Sequence, residues 1–249
     1  MKRKNTSCLS FLLILVIAGV GFWLLWCAQN VPEAGTYGEA DRIIAAFAAE
    51  NGLELSDYPE ELRALLERNP ETEEFVLRYP LDQDKAVDVD LSAYEHTDSV
   101  PLFLQWDAQW GYLEYGGKPA ALTGCGPVCL SMAAYYLTGD EAYSPDKMLE
   151  FADENGYYSP GSGSSWTLIS KGGVKLGFDV TEIPLVKKRI FDNLEAGNPI
   201  ICAMGKGDFT TSGHFIVLVG TQDGLLRIND PNNRANSQKL WKFEDIESQ

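Results

Sequence analysis

Apolar positions along this chain recur with two different periods, and the change of period divides it. Between residues 36 and 80 they return every three or four residues. In "EADRIIAAFAAENG", Ile43, Ile44 and Phe47 stand at helical spacing before Asn51-Gly52, a helix stop signal. "SDYPEELRALLERN" places Pro59 in a first turn and Leu62, Leu65 and Leu66 along one face. "NPETEEFVLRY" repeats the logic, with Asn69 as cap and Pro70 as first helical residue. No residue in these helices stands out as catalytic, so residues 33–80 read as a helical spacer. "PLDQDKAVDVDLSAYEHTDS" is acidic and weakly patterned, which makes residues 81–97 a linker. His96 there reads as a solvated side chain.

From Val100 the texture changes. "VPLFLQW" predicts a short strand, and "GPVCLSMAAYYLTG" an apolar helix closed by Gly139. "SPDKMLEFADENG" predicts a second helix capped by Ser144, with Pro145 next. "GSGSSWTLISKGGVKLG" is a glycine-serine loop entering a third. "FDVTEIP" then predicts a strand, "KKRIFDNLEAG" a helix, and "PIICAM" and "HFIVLVG" two more strands. Asp223-Gly224 turns the chain into "LLRIND". Helices come early and strands late, which predicts an α+β class with an antiparallel sheet packed against helices over residues 98–249.

The amino terminus has a third texture. Leu9 to Ala28 is a 20-residue run of mostly apolar character behind Lys2, Arg3 and Lys4, the length that spans a bilayer. A cleaved signal would have a shorter core and a small-x-small site. Trp26, just before Cys27, spoils both that site and a lipidated cysteine. Residues 1–32 therefore read as an uncleaved transmembrane anchor, single-pass in the cell membrane, with cleaved secretion as the alternative. The basic flank stays inside and the carboxyl-terminal domain faces outside. The whole chain carries a net charge of −16. Without the three basic residues of the amino terminus, 17 basic residues face 36 acidic ones. Such a surface repels phosphate backbones and argues against nucleic acid as a partner.

Five cysteines are present, and Cys8 and Cys27 belong to the anchor region. Cys125, Cys129 and Cys202 remain, an odd number, so at least one is unpaired within the chain. Cys125 and Cys129 share the stretch "TGCGPVCLSM". Pro127 suits a first helical turn, which sets Cys125 at a helix mouth. Backbone N–H groups and the positive end of the helix dipole favour a thiolate at such a place. Cys129 lies one turn further in, among apolar residues, and reads as a small buried hydrophobe. The spacing is C-x3-C with no second pair, so neither zinc nor an intrahelical disulfide is expected. The expectation is a site without metal or cofactor.

A nucleophile needs a base. His214 opens the strand "HFIVLVG" behind the glycine-rich "GKGDFTTSG", a rigid and partly exposed place. The base needs an orienting partner. Asp230, 16 residues on at the end of the next strand, stands where a tight hairpin would bring it beside His214. Asn229 is the rival, although neighbouring strand residues face opposite ways. Gln105 could supply an oxyanion-hole N–H together with the backbone N–H of Cys125; an ordinary polar surface role is its alternative. Gly163, Ser164, Ser212 and Gly213 lie in loops that could line a cleft for a substrate backbone. Trp166 is either a cleft wall or core.

The order Gln105, Cys125, His214, Asp230 resembles that of the papain-like cysteine peptidases. "LFLQWDAQWG", "GCGPVCLSM", "GHFIVLVG" and "NDPN" are more closely similar to the branch related to bacteriocin-processing peptidases, which remove double-glycine leaders. The resemblance covers residues 98–249. It implies a papain-like fold and a thiol peptidase, with the four residues in the roles just described. The expected substrate is a peptide or a cell-wall peptide. Two other readings stand beside it: acyl transfer or peptidoglycan amide hydrolysis on the same fold, and an inactive peptide-binding module.

Overall fold

The structure is a computed structural model, and it describes residues 38–95, 98–161 and 163–249. The predicted anchor and His96 lie outside the described residues. Among the described residues, no helix is long and apolar enough to cross a membrane.

Three helices come first: α1 (Glu39–Asn51), α2 (Glu60–Arg68) and α3 (Glu73–Asp82). The Asn69 side chain accepts the Glu71 N–H, and a single 3₁₀ turn over Pro70–Thr72 leads into α3. Ile44, Leu62, Leu65, Leu66, Phe75 and Val76 form their shared core. That core is not closed on itself. Ala121 is part of it, and Trp106, Tyr112 and Leu122 from the following region pack against it.

A four-residue helix, α4 (Ala120–Thr123), turns into the long α5 (Cys125–Thr138). Every side chain of α5 from Cys125 to Tyr135 is buried, which makes it the central helix rather than a surface one. Helix α6 (Pro145–Glu154) packs against it. A two-stranded ribbon of β1 (Tyr158–Ser159) and β2 (Gly163–Ser164) follows. The third predicted helix is a single π-turn over Leu168–Gly172 running into one short α-turn.

The sheet has the order β3-β4-β5 and is antiparallel throughout. Its strands are β3 (Ile200–Met204), β4 (His214–Gln222) and β5 (Leu225–Asn229), and α7 (Lys187–Glu195) precedes them. Asp223 and Gly224 both take positive φ, 53° and 76°, the conformation that closes a two-residue hairpin and pairs Gln222 with Leu225. Side-chain alternation along β4 divides the interior. Phe215 and Val217 join the α5 core with Phe103, Trp110 and Met132. Ile216 and Leu218 face Ile190 and Leu194 of α7 and Phe243 and Ile246 of α9 (Phe243–Glu247). Between β5 and α9 lies α8 (Arg234–Gln238). The architecture is thus mixed helix and antiparallel sheet.

Two predicted strands are absent. "VPLFLQW" is irregular. Pro101 has no N–H to give a ladder, and the carbonyls of Val100 and Pro101 accept from the Asn229 side chain instead. "FDVTEIP" is also irregular and largely exposed at its second half; Pro184 removes a donor there.

Candidate active site

Cys125 is the first residue of α5 and is 9% exposed at the floor of a cleft of about 570 Å³. That volume suits a small ligand or a few residues of a chain. His214 starts β4, paired in register with Met204, and Asp230 directly follows β5. The hairpin brings His214 Nε2 to 2.8 Å from Asp230 Oδ1. Both side chains are withdrawn from solvent, at 7% and 1% exposure. With Nε2 engaged, Nδ1 is the ring nitrogen left to exchange a proton with Cys125, which acts on the same imidazole. Burial works against the imidazolium. The hydrogen bond that the ring donates to Asp230, the interaction with Cys125 and the charges behind them outweigh it and raise His214 to about 10.

Asn229 has a different task. It pairs with Val217 in register, and its Nδ2 donates to the carbonyls of Val100 and Pro101, beside Met132 of α5. Strand alternation therefore turns Asp230 to the histidine and Asn229 to the core. The Asp230 carboxylate is held further by the Asn232 N–H at 2.9 Å and Asn236 Nδ2 at 2.8 Å.

The other two thiols sit in surroundings that favour the protonated form. Cys129 is fully buried in α5, and burial, with Cys125 nearby, lifts it well above the ordinary thiol range. Burial pushes Cys202 up to about 12. All three are free, and no cluster of candidate metal ligands occurs among the described residues.

Gln105 lines the cleft although it is only 4% exposed. One amide N–H of its side chain is spent on the Ala121 carbonyl at 2.6 Å; the carboxamide has a second. Its backbone N–H donates to Pro231 at 2.7 Å, which ties it to the Asp230 loop.

Of the five predicted substrate-binding residues, Gly163, Ser212 and Gly213 line the cleft. Ser164 and Trp166 do not. Ser164 is 3% exposed, lies beneath the floor, and shares a hydrogen bond with Tyr115 at 3.0 Å. Trp166 is 74% exposed and is neither core nor wall. Ser164 explains Gly126: a Cβ there would sit 2.5 Å from its hydroxyl, so the residue after Cys125 must be glycine for α5 to approach the ribbon.

Several cleft residues escape sequence reasoning. Arg68 and Asn69, at the end of α2, form part of one wall. Asn232, Asn233 and Asn236 line the cleft as well. The asparagine run after Asp230 is a signal for the second group; nothing near Arg68 ties it to the loop that follows Asp230.

A family model described as the Peptidase_C39-like family matches residues 97–249. No curated protein and no solved structure matches the chain.

Proposed function

Because the chain belongs to the Peptidase_C39-like family, we propose that it is a cysteine peptidase that hydrolyses peptide or amide bonds through Cys125, His214 and Asp230. The observation that supports this reading best is the His214–Asp230 contact of 2.8 Å, with His214 and Cys125 lining the same cleft.

The chemistry follows from that arrangement. The Cys125 thiolate attacks the carbonyl carbon, and the carbonyl π electrons move onto oxygen. The second N–H of Gln105 and the backbone N–H of Cys125 stabilise that oxyanion. As the tetrahedral adduct collapses, the C–N bond breaks and His214 gives its proton to the departing amine. A thioester remains on Cys125. His214, now neutral, takes a proton from water, whose oxygen attacks the thioester. The acid leaves and the thiolate and imidazolium are restored. Asp230 keeps the ring oriented and favours its charged form throughout.

The proposed substrate is a peptide or a cell-wall peptide met outside the cell. The anchor reading supports that location: 20 mostly apolar residues behind three basic ones hold the domain at the outer face of the membrane. Incubating the protein with a peptide library, double-glycine peptides included, and with isolated cell wall tests the proposal. Cleavage that disappears in Cys125→Ala supports it. Equal product from Cys125→Ala and wild type would sink it.

A further inference from the structure

The Asp230 loop is not held by the family-matched region alone. Helix α8 has only five residues, too few to persist without outside partners. Its opening N–H groups are all taken by side chains. Those of Arg234 and Ala235 donate to the two carboxylate oxygens of Glu71 at 2.9 and 3.0 Å. That of Asn236 donates to Asn233 Oδ1 at 2.8 Å. Just upstream, the Asn232 carbonyl accepts from Asn69 Nδ2 and from Trp106 Nε1.

Helix α8 in turn grips Asp230 twice. Asn236 Nδ2 donates to Asp230 Oδ2 at 2.8 Å, and Ser237 Oγ accepts the Asp230 N–H at 2.9 Å. Hydrogen bonds thus tie Glu71 to one end of the α8 backbone and that same short helix to the carboxylate beside His214. Glu71 is exposed and Asn69 is 4% exposed. Both precede residue 97, where the family match begins.

We infer that Glu71 is a positioning residue of the active site, which holds Asp230 on His214 by capping α8, so that the three-helix segment is a working part of the catalytic unit rather than a spacer. This inference rests on the Cys125–His214–Asp230 reading. The groups that face His214 are Asp230 and Cys125; Glu71 acts only through the first. The cap is charge-assisted, because a carboxylate at a helix N-terminus meets both the N–H groups and the dipole.

The full chain has two histidines, which makes the test direct. Protein labelled with nitrogen-15 in its imidazoles is titrated by NMR, and His96→Gln assigns the two signals. Glu71→Ala should lower the His214 titration by about half a unit, the loss of part of one cap. Asn69→Ala should move it the same way. Glu71→Gln keeps one acceptor oxygen and should restore most of the shift. Asp230→Ala is the control and should give a larger fall. A Glu71→Ala protein that is folded and titrates like wild type, while Asp230→Ala shifts, overturns the positioning role and leaves the triad standing. Should Asp230→Ala also titrate like wild type, the triad reading fails and the inference falls with it. Glu71 is on the surface, so its two variants remove no core packing.

Discussion

Replacing Asp230 by alanine isolates what the orienting carboxylate does. Its Oδ1 lies 2.8 Å from His214 Nε2, in a place where the two side chains are 1% and 7% exposed. A hydrogen bond to a charged group contributes roughly 1.5–3 kcal/mol, and one pKa unit corresponds to about 1.4 kcal/mol. Losing the bond should therefore lower His214 by about one to two units from its position near 10. The sign follows from the proposed mechanism. His214 must hold a proton to give to the leaving amine, so activity is present below its titration point and lost as pH rises through it. Lowering that point brings the loss to lower pH. Burial, the largest influence against the charge, acts in the same direction once Asp230 is gone. The assay is a pH–rate profile on one cleavable peptide, for wild type, Asp230→Ala and Asn229→Ala. Asp230→Ala should show an alkaline limb about one to two units lower and a reduced rate, with residual turnover because the Cys125–His214 pair survives. Asn229→Ala removes the donor to Val100 and Pro101. It should cost stability, on the order of 1–3 kcal/mol, with the alkaline limb in place. A limb that moves in Asn229→Ala and stays in Asp230→Ala would refute the assignment and the strand-face argument behind it.

Two other outcomes are expected. Gly126→Ala would push a methyl to within 2.5 Å of Ser164 Oγ and 3.2 Å of Leu168, so urea unfolding should show a loss of about 1–3 kcal/mol and turnover should fall; unchanged stability would mean that the floor beneath Cys125 is looser than the packing shows. External protease added to intact cells should digest residues 33–249, as the anchor proposal requires; survival of the domain until lysis would reverse the orientation.

The placement of the candidate site residues is legible because they sit at element boundaries with local signals. Pro127 marks the start of α5, and with it Cys125. The Asp223-Gly224 turn fixes the hairpin register, which sets His214 and Asp230 beside each other and sends Asn229 the other way. "VPLFLQW" misled because an apolar run near a proline looks like a strand, while its carbonyls are satisfied by a side chain 128 residues away. Ser164 misled for a related reason. A glycine-serine loop predicts exposure, but Gly126 leaves room for the ribbon to lie under α5. The helices before residue 83 carry helical spacing and no chemistry of their own, so a spacer was the natural reading. Their part in the cleft depends on Asn69 and Glu71 reaching across 163 residues to the Asp230 loop, and sequence patterning holds no information on contacts of that kind.

The central claim is that His214 activates Cys125 and no other thiol of the domain. Alkylation by iodoacetamide at neutral pH, with the labelled sites mapped by mass spectrometry, tests it directly. Cys125 should take the label first. Cys129, lifted far above the ordinary range by burial, and Cys202, pushed up to about 12, should stay unmodified while the protein is folded. His214→Ala should slow labelling of Cys125 severalfold at the same pH, since the base proposed to activate it is gone. Label on Cys129 or Cys202 ahead of Cys125, or a Cys125 rate indifferent to His214→Ala, would contradict the account.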